Sequence, residues 1–301
     1  MPLIVILGPT ASGKTSLSIK LAKKFNGEII NADSRQIYKE MDIGTAKILG
    51  KTIKDKYMAL GVAHHLINIK KPSQKFSVQV YKKLAVKSAQ DILKRGKIPF
   101  LVGGTGLYIK AMVDNLEIPE VKANWQLRKK LEKKSAEDLT KILIKKDSEA
   151  LKFIDLKNKR RIIRALEVMN ASNKKFSELR RSGQPIFSVL ELGVKAKKNI
   201  LENNMLLRIK QQLNLGLEKE VKKLYKKYGS KAPGLQSISC QEFIKYFKHQ
   251  LTKNEAVNLI AQNTINYAKR QMTWFKKDKR IKWVSDFKGA EVAVKNFLKK
   301  I

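Results

Sequence analysis

The spacing of apolar residues changes along this chain, and each spacing predicts a different kind of element. In residues 1–118, short apolar runs alternate with segments whose apolar positions recur every three or four residues. The runs predict strands and the segments predict helices, in the order Leu3–Leu7 (strand), Lys14–Phe25 (helix), Glu28–Asn31 (strand), Val78–Arg95 (helix) and Lys97–Gly103 (strand). Strands that alternate with helices form a parallel sheet covered on both faces.

The spacing is helical throughout residues 119–186, without a clear strand. Three amphipathic helices are predicted there, at Trp125–Lys133, Ala136–Lys145 and Asn158–Asn170. A strand at Ser188–Val194 then returns to the sheet, and the remainder predicts three helices and a short edge strand: Arg208–Tyr228, Gln241–Lys248, Lys253–Phe275 and Ile281–Val284. The prediction is an α/β fold, in which residues 1–118 and 187–301 form a parallel sheet flanked by helices and residues 119–186 form an inserted helical domain.

The turn after the first strand matches a complete phosphate-binding pattern, G-x-x-x-x-G-K-[ST]. Backbone N–H groups of such a loop wrap a di- or triphosphate, the lysine adds a positive charge, and the last hydroxyl can ligate Mg²⁺. The helix that begins near Lys14 directs its positive end to the same anion. The core is therefore predicted to be P-loop NTPase-like, with Thr15 as the metal ligand and the phosphates held by Gly8, Pro9, Thr10, Ala11, Ser12, Gly13, Lys14 and Thr15. The pattern leaves open whether phosphate is the group transferred or the group that leaves.

Two further segments that could take part in a reaction follow predicted strands, Asp33–Tyr38 and Gly103–Tyr108. Ligands of parallel sheets bind at the carboxyl ends of the strands, so we expect both segments to lie beside the P-loop. Asp33 could ligate Mg²⁺, act as a general base, or only accept N–H bonds in a turn. The glycine-rich segment could hold a second anion or a leaving group through its N–H groups and the Thr105 hydroxyl, or could be a tight strand-to-helix connection.

Three other segments each allow a functional and a structural interpretation. The pair His64–His65 could bind a metal, but no carboxylate or cysteine lies at ligand spacing, which favours a hydrogen-bonded structural pair. Arg160, Arg161 and Arg164 occupy one turn of a predicted helix, where they could bind phosphates or form a solvated face. The mixture of cations and aromatics in Tyr267–Trp274 is typical of RNA stacking, or of a core tryptophan beside exposed lysines.

Composition adds a polyanionic partner to this picture. The 301 residues carry 64 Lys+Arg against 26 Asp+Glu, a net charge of +38. Such an excess favours nucleic-acid binding, although its even spread, mostly as lysine, is also what an AT-rich genome produces. The single cysteine, Cys240, excludes an internal disulfide and a cysteine zinc cluster. No apolar run is long enough to cross a membrane, and no signal peptide is apparent, so we expect a cytoplasmic protein without a membrane partner.

Seven motifs of this chain together resemble one family, the bacterial tRNA dimethylallyltransferases (tRNA isopentenyltransferases). They occur in the family's order between residue 4 and about residue 284 and comprise the P-loop, Asp-Ser-x-Gln-x-Tyr, Asp-Ile-Gly-Thr-Ala-Lys (Asp42–Lys47), His-His-Leu-Ile (His64–Ile67), Gly-Gly-Thr-x-Leu-Tyr, Arg-Ala-Leu-Glu-Val (Arg164–Val168) and Tyr-Ala-Lys-Arg-Gln-x-Thr-Trp. The resemblance implies transfer of a dimethylallyl group from dimethylallyl diphosphate to N6 of adenosine 37, next to the tRNA anticodon. Diphosphate would then be the leaving group, with no phosphoryl transfer.

The resemblance also implies a role for individual residues. Asp33 would be the base that accepts the amine proton, and Thr105 would contact the bridging oxygen of the donor. Lys14, Ser12, Thr15 and Mg²⁺ would stabilise the departing diphosphate, with Arg208 as an additional cation. The implied tRNA-binding residues, for the anticodon stem-loop, are Asp33, Ser34, Arg35, Gln36, Thr105, Arg128, Arg160, Arg161 and Arg164. The enzyme is expected to be a monomer.

Four positions depart from the family pattern, and they leave the details of tRNA contact open. Lys157-Asn158 replaces an Asn-Asp pair, and Ser239-Cys240 replaces a Gly-Tyr pair. Gln212 lies where a second arginine often follows Arg208, and Ile265 lies where the family often has arginine. Other functions compatible with a P-loop are prenyl transfer to a free adenine nucleotide, a small-molecule kinase, and an RNA-binding protein with a vestigial nucleotide site.

Overall fold

A computed structural model describes residues 1–54, 56–117, 119, 121, 123–179 and 183–301. The chain divides into two compact units, one formed by Met1–Val113 with Ile186–Ile301 and the other by Asp114–Pro185. The predicted domain boundaries fall within a few residues of this division, and residue 118 itself lies outside the described residues. Within the described part of the chain, no helix is long and apolar enough to span a bilayer.

The first unit alternates strands and helices in its N-terminal half and is mainly helical in its C-terminal half. Its elements are β1 (Pro2–Leu7), α1 (Lys14–Lys24), β2 (Gly27–Ala32), β3 (Lys51–Ile53), β4 (Lys56–Ala59), β5 (Val62–His65), α2 (Val78–Lys94), β6 (Ile98–Gly103), α3 (Gly106–Val113), β7 (Ser188–Val194), α8 (Lys198–Asn214), α9 (Leu217–Tyr228), α10 (Cys240–Phe247), α11 (Lys253–Phe275), β8 (Lys282–Val284) and α12 (Phe287–Leu298). The second unit contains α4 (Trp125–Glu132), α5 (Ala136–Lys146), a 3₁₀ turn (Ser148–Lys152), α6 (Lys159–Ser172) and α7 (Phe176–Leu179).

One sheet organises the first unit, with the described strands in the order β3-β4-β5-β2-β6-β1-β7-β8. The five strands from β2 to β8, together with β5, pair in parallel, which confirms the predicted α/β architecture. One edge departs from the predicted parallel sheet, because β3, β4 and β5, for which no strands were predicted, pair antiparallel. Leu60 and Gly61, with φ of 49° and 78°, form a two-residue turn between β4 and β5. Two positive φ values suit the tight hairpin that antiparallel neighbours require.

Alternate residues of β1 face opposite sides of the sheet, so the strand contributes to two cores. Leu3, Val5 and Leu7 pack with residues of α2 and α3, whereas Ile4 and Ile6 pack with residues of α1 and α12. This arrangement explains the near-continuous apolar run in the sequence, since a strand covered on both faces has no polar side. It also leaves the carboxyl ends of β1, β2 and β6 as the place where polar loops can form a site.

The helical layer of this unit corrects one predicted element. A single helix over Arg208–Tyr228 is wrong: α8 ends at Asn214 and α9 begins at Leu217. Gly216 adopts φ of 94° between them, a left-handed conformation that glycine tolerates and that interrupts a helix. The break lets α9 turn its apolar face, with Leu217, Val221 and Leu224, into a core shared with α10 and α11.

Candidate active site

The P-loop connects the end of β1 to the start of α1. Gly13 has φ of 86° and precedes Lys14, the first residue of the helix. The Lys14 ammonium donates to the Pro9 carbonyl at 2.9 Å, which folds the side chain back over the loop. The Ser12 hydroxyl is buried without a hydrogen-bond partner. A buried hydroxyl that lacks a partner is costly, so the loop is organised for a polar ligand.

Two cations face each other across this loop. Arg208 from α8 donates to the Thr10 hydroxyl at 3.0 Å and approaches the Thr45 carbonyl at 3.4 Å. Burial lowers the pKa of Lys14 to about 8; Asp33 opposes the shift and Arg208 adds to it. Burial also lowers the pKa of Arg208, against the effect of Asp33. Partly desolvated cations in excess over their one carboxylate favour binding of an anion between them.

The Asp33 segment is held in place by its neighbours. Asn31, at the end of β2, accepts from the Asp33 N–H at 3.2 Å and donates to the Asp33 and Leu66 carbonyls. Asp33 Oδ1 accepts the Arg35 N–H at 2.8 Å, so the turn role of this carboxylate is confirmed. The turn fixes one oxygen of the carboxylate, while the side chain lines two cavities beside the P-loop.

The predicted convergence of three strand ends is confirmed. Thr105 accepts the Ser34 N–H at 3.1 Å through its hydroxyl and donates its own N–H to Ala32 at 3.1 Å, which joins the β6–α3 turn to the Asp33 segment. A cavity of about 90 Å³ is lined by P-loop residues together with Asp33, Gly103 and Arg208. It shares Asp33 and Arg208 with a neighbouring cavity of about 260 Å³. The smaller cavity, beside the P-loop, is suited to an anion, and the larger cavity next to it has room for a larger group.

Helix α11 contributes two site residues whose positions the sequence motif did not reveal. Tyr267 lines both cavities, and burial raises the pKa of its phenol to about 12, so it remains a neutral hydrogen-bonding group. Gln271, one turn further, accepts the Thr10 N–H at 2.9 Å and donates to the Gly104 carbonyl at 2.8 Å. The four-residue spacing within Tyr-Ala-Lys-Arg-Gln places both side chains on one helix face. From the sequence, this spacing was the one indication that the two side chains lie close together.

A third missed residue, Glu220, supports the loop that carries Thr45. Its carboxylate accepts the N–H groups of Asp42, Ile43 and Gly44 at 2.8–2.9 Å. Gln212 donates to the Ile43 carbonyl. The loop so fixed presents the Thr45 carbonyl to Arg208 and to the Gln36 amide, the latter at 3.2 Å. No local pattern around Glu220 distinguishes it from other glutamates of an exposed helix.

The predicted RNA-reading residues near Asp33 are partly occupied by internal bonds. Arg35 donates to the Pro233 carbonyl at 3.1 Å, and Gln36 donates to Thr45 as described. Ser34, Arg35 and Asp33 line the larger cavity, whereas Gln36 lines the smaller one. The structure thus brings these residues to the site, and their contact with RNA stays a prediction.

The histidine pair has a structural role. His65 Nε2 lies 2.8 Å from Glu28 Oε2, and His64 Nδ1 lies 3.0 Å from the Val62 carbonyl. Glu28 also accepts from Arg95 and Lys97. Among the described residues, no group of three or more His, Cys, Asp or Glu side chains could hold a metal ion.

In the second unit, one buried carboxylate determines where the predicted RNA-binding arginines lie. Glu167 accepts two bonds from Arg128, at 2.9 and 2.7 Å, one from Arg164 at 2.7 Å, and the Asn124 N–H at 2.7 Å. Arg164 donates in addition to the Val121 carbonyl. Glu167 belongs to the motif Arg-Ala-Leu-Glu-Val, which by itself did not reveal that this carboxylate binds Arg128 and Arg164. Arg128 and Arg164 therefore serve the internal structure of this unit.

Arg160 and Arg161 lie on the exposed side of α6 in the same unit. Arg161 approaches Asp155 at 4.0 Å, a distance at which an exposed ion pair contributes little. Both residues are exposed, whereas Arg128 and Arg164 bind Glu167 and have side chains that are 26% and 39% exposed.

The positions that depart from the family pattern have structural explanations here. Asn158 is the N-cap of α6 and accepts the Arg161 N–H at 3.3 Å, and Ile265 packs beside Met205 and Ala268. Ser239 adopts φ of 76° and ψ of −44° at the start of α10, a conformation that costs a non-glycine residue energy. Cys240 is buried in the helical core, where burial raises the pKa of its thiol to about 11.

Comparison with known proteins agrees with these features. The model of the IPP transferase family matches residues 36–278, and that of the isopentenyl transferase family matches residues 1–59. The tRNA dimethylallyltransferase of Acetivibrio thermocellus is 40% identical over 303 residues, which cover 97% of this chain and 95% of that protein. That of Carboxydothermus hydrogenoformans is 39% identical over 313 residues, with 98% and 99% covered.

Solved structures show the same similarity. The tRNA isopentenylpyrophosphate transferase of Bacillus halodurans superposes with a TM-score of 0.72 at 35% identity, covering 99% of this chain and 96% of that one. A eukaryotic dimethylallyltransferase acting on tRNA superposes with a TM-score of 0.77 at 28% identity, covering 95% and 75%. This chain belongs to the IPP transferase family.

Proposed function

We propose that this chain transfers the dimethylallyl group of dimethylallyl diphosphate to N6 of adenosine 37 in a tRNA and releases diphosphate. The observation that carries the proposal is the shared cavity wall: the carboxylate of Asp33 and the cations Lys14 and Arg208 line one cavity beside the P-loop. A carboxylate suits an acceptor that must lose a proton, and the cations suit a leaving group that gains charge. The names of the relatives agree with this chemistry.

Binding of the diphosphate would use the second half of the P-loop. The N–H groups of Thr10 and Ser12 already have acceptors, Gln271 Oε1 and Pro9 O. The later amides, at the positive end of α1, would therefore hold the anion together with Lys14 and the unpartnered Ser12 hydroxyl. The Lys14 ammonium would move from the Pro9 carbonyl to a phosphate oxygen.

The reaction exchanges one bond for another at the first carbon of the prenyl group. The lone pair of N6 forms the N–C bond, the C–O bond to the diphosphate breaks, and its electron pair leaves on oxygen. The amine proton passes to Asp33, which is needed because the N6 lone pair is delocalised into the ring and attacks weakly until the proton departs. Thr105, whose hydroxyl accepts the Ser34 N–H at 3.1 Å, would contact the bridging oxygen, as the family resemblance implies.

Mg²⁺ is the cofactor that we propose for this site. The donor fits: the hydroxyl of Thr15 lines the cavity, and Mg²⁺ prefers oxygen ligands while retaining several waters. When bound, Mg²⁺ would neutralise charge on the diphosphate as it departs. Lys14 and Arg208 supply the protein's own part of that stabilisation.

The proposed acceptor is the anticodon stem-loop of a tRNA. A base must be unstacked to enter the cavity lined by Asp33, Ser34 and Arg35. The exposed guanidinium groups of Arg160 and Arg161 are suited to backbone phosphates, and the net charge of +38 supports binding of a polyanion. The proposal includes a monomeric enzyme in the cytoplasm.

The test is incorporation of carbon label from dimethylallyl diphosphate into an unmodified tRNA transcript, with AMP as the competing acceptor. We expect label in tRNA and none in AMP. Asp33→Asn should lower turnover by about 10²–10⁴-fold with tRNA affinity unchanged. Label in AMP would favour transfer to a free nucleotide, and ATP consumption with small acceptors would favour a kinase; either outcome would replace the proposal.

A further inference from the structure

The side chain of Gln271 connects the two loops that form the anion site. Its amide oxygen accepts the N–H of Thr10, in the P-loop, at 2.9 Å. Its amide nitrogen donates to the carbonyl of Gly104, next to Thr105, at 2.8 Å. Gln271 itself is only 6% exposed, so water does not replace either bond easily.

The chemistry of the two partners requires an amide at this position. Thr10 offers only a donor and Gly104 offers only an acceptor through these backbone groups, so the side chain must supply one of each. A carboxylate would set a negative oxygen against the Gly104 carbonyl, and an apolar side chain would leave both backbone groups unpaired. The orientation of the amide follows from the same partners.

The contact also leaves no room for a side chain at position 104. A Cβ built on this glycine would lie 2.2 Å from Gln271 Nε2. Any larger residue at position 104 would push the amide away from its carbonyl partner. Glycine here therefore admits the side chain of a distant helix, separated from it by 167 residues in sequence.

Both connected residues lead directly to groups of the reaction. The hydroxyl of Thr10 accepts a hydrogen bond from the Arg208 guanidinium at 3.0 Å. Thr105 follows Gly104 in sequence, and its hydroxyl accepts a hydrogen bond from the Ser34 N–H at 3.1 Å. A shift of either loop would therefore move Arg208 or Thr105 relative to the diphosphate. Displacements of about 1 Å in such a site can cost on the order of 100-fold in rate.

We propose that Gln271 is a positioning residue that sets the distance between the P-loop and the Gly104–Thr105 turn and so aligns the cations with the leaving diphosphate. This proposal rests on the proposed function. Gln271 lines the smaller cavity, and the role proposed for it acts through its bonds to Thr10 and Gly104.

The primary test compares Gln271→Met, Gln271→Glu and a control, Gln262→Met, whose amide lies exposed on the same helix. We expect Gln271→Met to lower the single-turnover rate of prenyl transfer about tenfold or more. Its tRNA affinity should stay close to that of the control, whereas its melting temperature should fall, because the Thr10 N–H and the Gly104 carbonyl lose their buried partner. A wild-type rate in Gln271→Met would overturn the proposal.

The pH profile separates alignment from packing. In Gln271→Glu the introduced carboxyl can donate to Gly104 only when it is protonated, so the rate relative to wild type should rise as the pH falls. Packing alone predicts a constant ratio, and a constant ratio would contradict the proposal. Gly104→Ala should reproduce the loss seen in Gln271→Met, because the added methyl displaces the amide.

Calorimetry with inorganic diphosphate keeps the test independent of the prenyl reaction. Gln271→Met should bind diphosphate more weakly than wild type and Gln262→Met, since the P-loop loses its support. Equal affinity in all three proteins would overturn the proposal. If wild type binds diphosphate but transfers no prenyl group to tRNA, the proposed function fails while this comparison still decides the role of Gln271.

Discussion

Replacement of Glu167 by glutamine should destabilise the helical second unit and leave the P-loop site unchanged. The Glu167 side chain is fully buried, and its carboxylate accepts bonds from Arg128, Arg164 and the Asn124 N–H. Glutamine keeps the shape but removes the charge and turns N–H groups toward guanidinium donors. Breaking a buried pair in this way costs about 3–5 kcal/mol. Because the side chains of Arg128 and Arg164 are 26% and 39% exposed, we expect about 2–3 kcal/mol after solvent screening.

The difference in unfolding free energy between wild type and Glu167→Gln should decrease as the pH falls. Burial alone would raise the pKa of Glu167, but hydrogen bonds from Arg128, Arg164 and the Asn124 N–H outweigh burial and lower it below its ordinary value of 4.5. A depressed pKa stabilises the fold above the ordinary value, and this contribution is lost as the pH falls through the folded-state pKa. The difference between wild type and Glu167→Gln should therefore be full at pH 7 and shrink in acid.

Urea unfolding followed by circular dichroism measures this difference. Glu149→Gln is the matched control, because Glu149 is exposed in the same unit and pairs with exposed Lys152; its effect should stay below about 0.5 kcal/mol. Equal unfolding midpoints for Glu167→Gln and Glu149→Gln would refute the assignment of Arg128 and Arg164 to the internal structure. So would a difference that persists unchanged at low pH.

Three further predictions concern tRNA binding, proton uptake on diphosphate binding, and backbone strain at Ser239. Arg160→Ala with Arg161→Ala should weaken tRNA binding and reduce its salt dependence by about two counterions, with stability unchanged; an unchanged salt slope in binding assays would contradict this. Burial lowers the pKa of Lys14 to about 8, so part of the Lys14 side chains are neutral at about pH 8.5 and should take up a proton when diphosphate binds. Calorimetry in buffers of different ionisation enthalpy should show the uptake vanish in Lys14→Arg, and persistence would exclude Lys14 as its source. Ser239→Gly should raise stability by about 1 kcal/mol, since φ is 76° there; a lower melting temperature would show that the turn is not strained.

The parts of the fold that sequence could predict are those where periodicity is strong. Helix α11 was predicted with its observed bounds, Lys253–Phe275, and β7 likewise at Ser188–Val194. Elements that depend on tertiary context were missed. The strands β3 to β5 are only three or four residues long and mix polar with apolar residues. Gly216 divides a segment whose apolar positions alone would continue the helix.

The residues of the candidate site likewise fall into those that sequence could identify and those that it could not. Residues within compact motifs, such as Lys14 and Asp33, were identified because the chemistry is encoded locally. Glu220, Gln271 and Glu167 act through contacts across many residues of chain, and nothing near them in sequence names their partners. The bonds from Arg128 and Arg164 to Glu167 could not be predicted for this reason, since the position of Glu167 becomes meaningful only when the helices are packed; contact of these arginines with RNA stays a prediction.

The central claim is that the P-loop holds a leaving group and transfers no phosphate. The most direct test uses dimethylallyl diphosphate with carbon label in the prenyl group and phosphorus label in the terminal phosphate, incubated with Mg²⁺, protein and unmodified tRNA. We predict that all transferred carbon label enters RNA and that the phosphorus label appears in equal amount as free inorganic diphosphate. Phosphorus label in RNA, or release of single phosphate in place of diphosphate, would contradict the account.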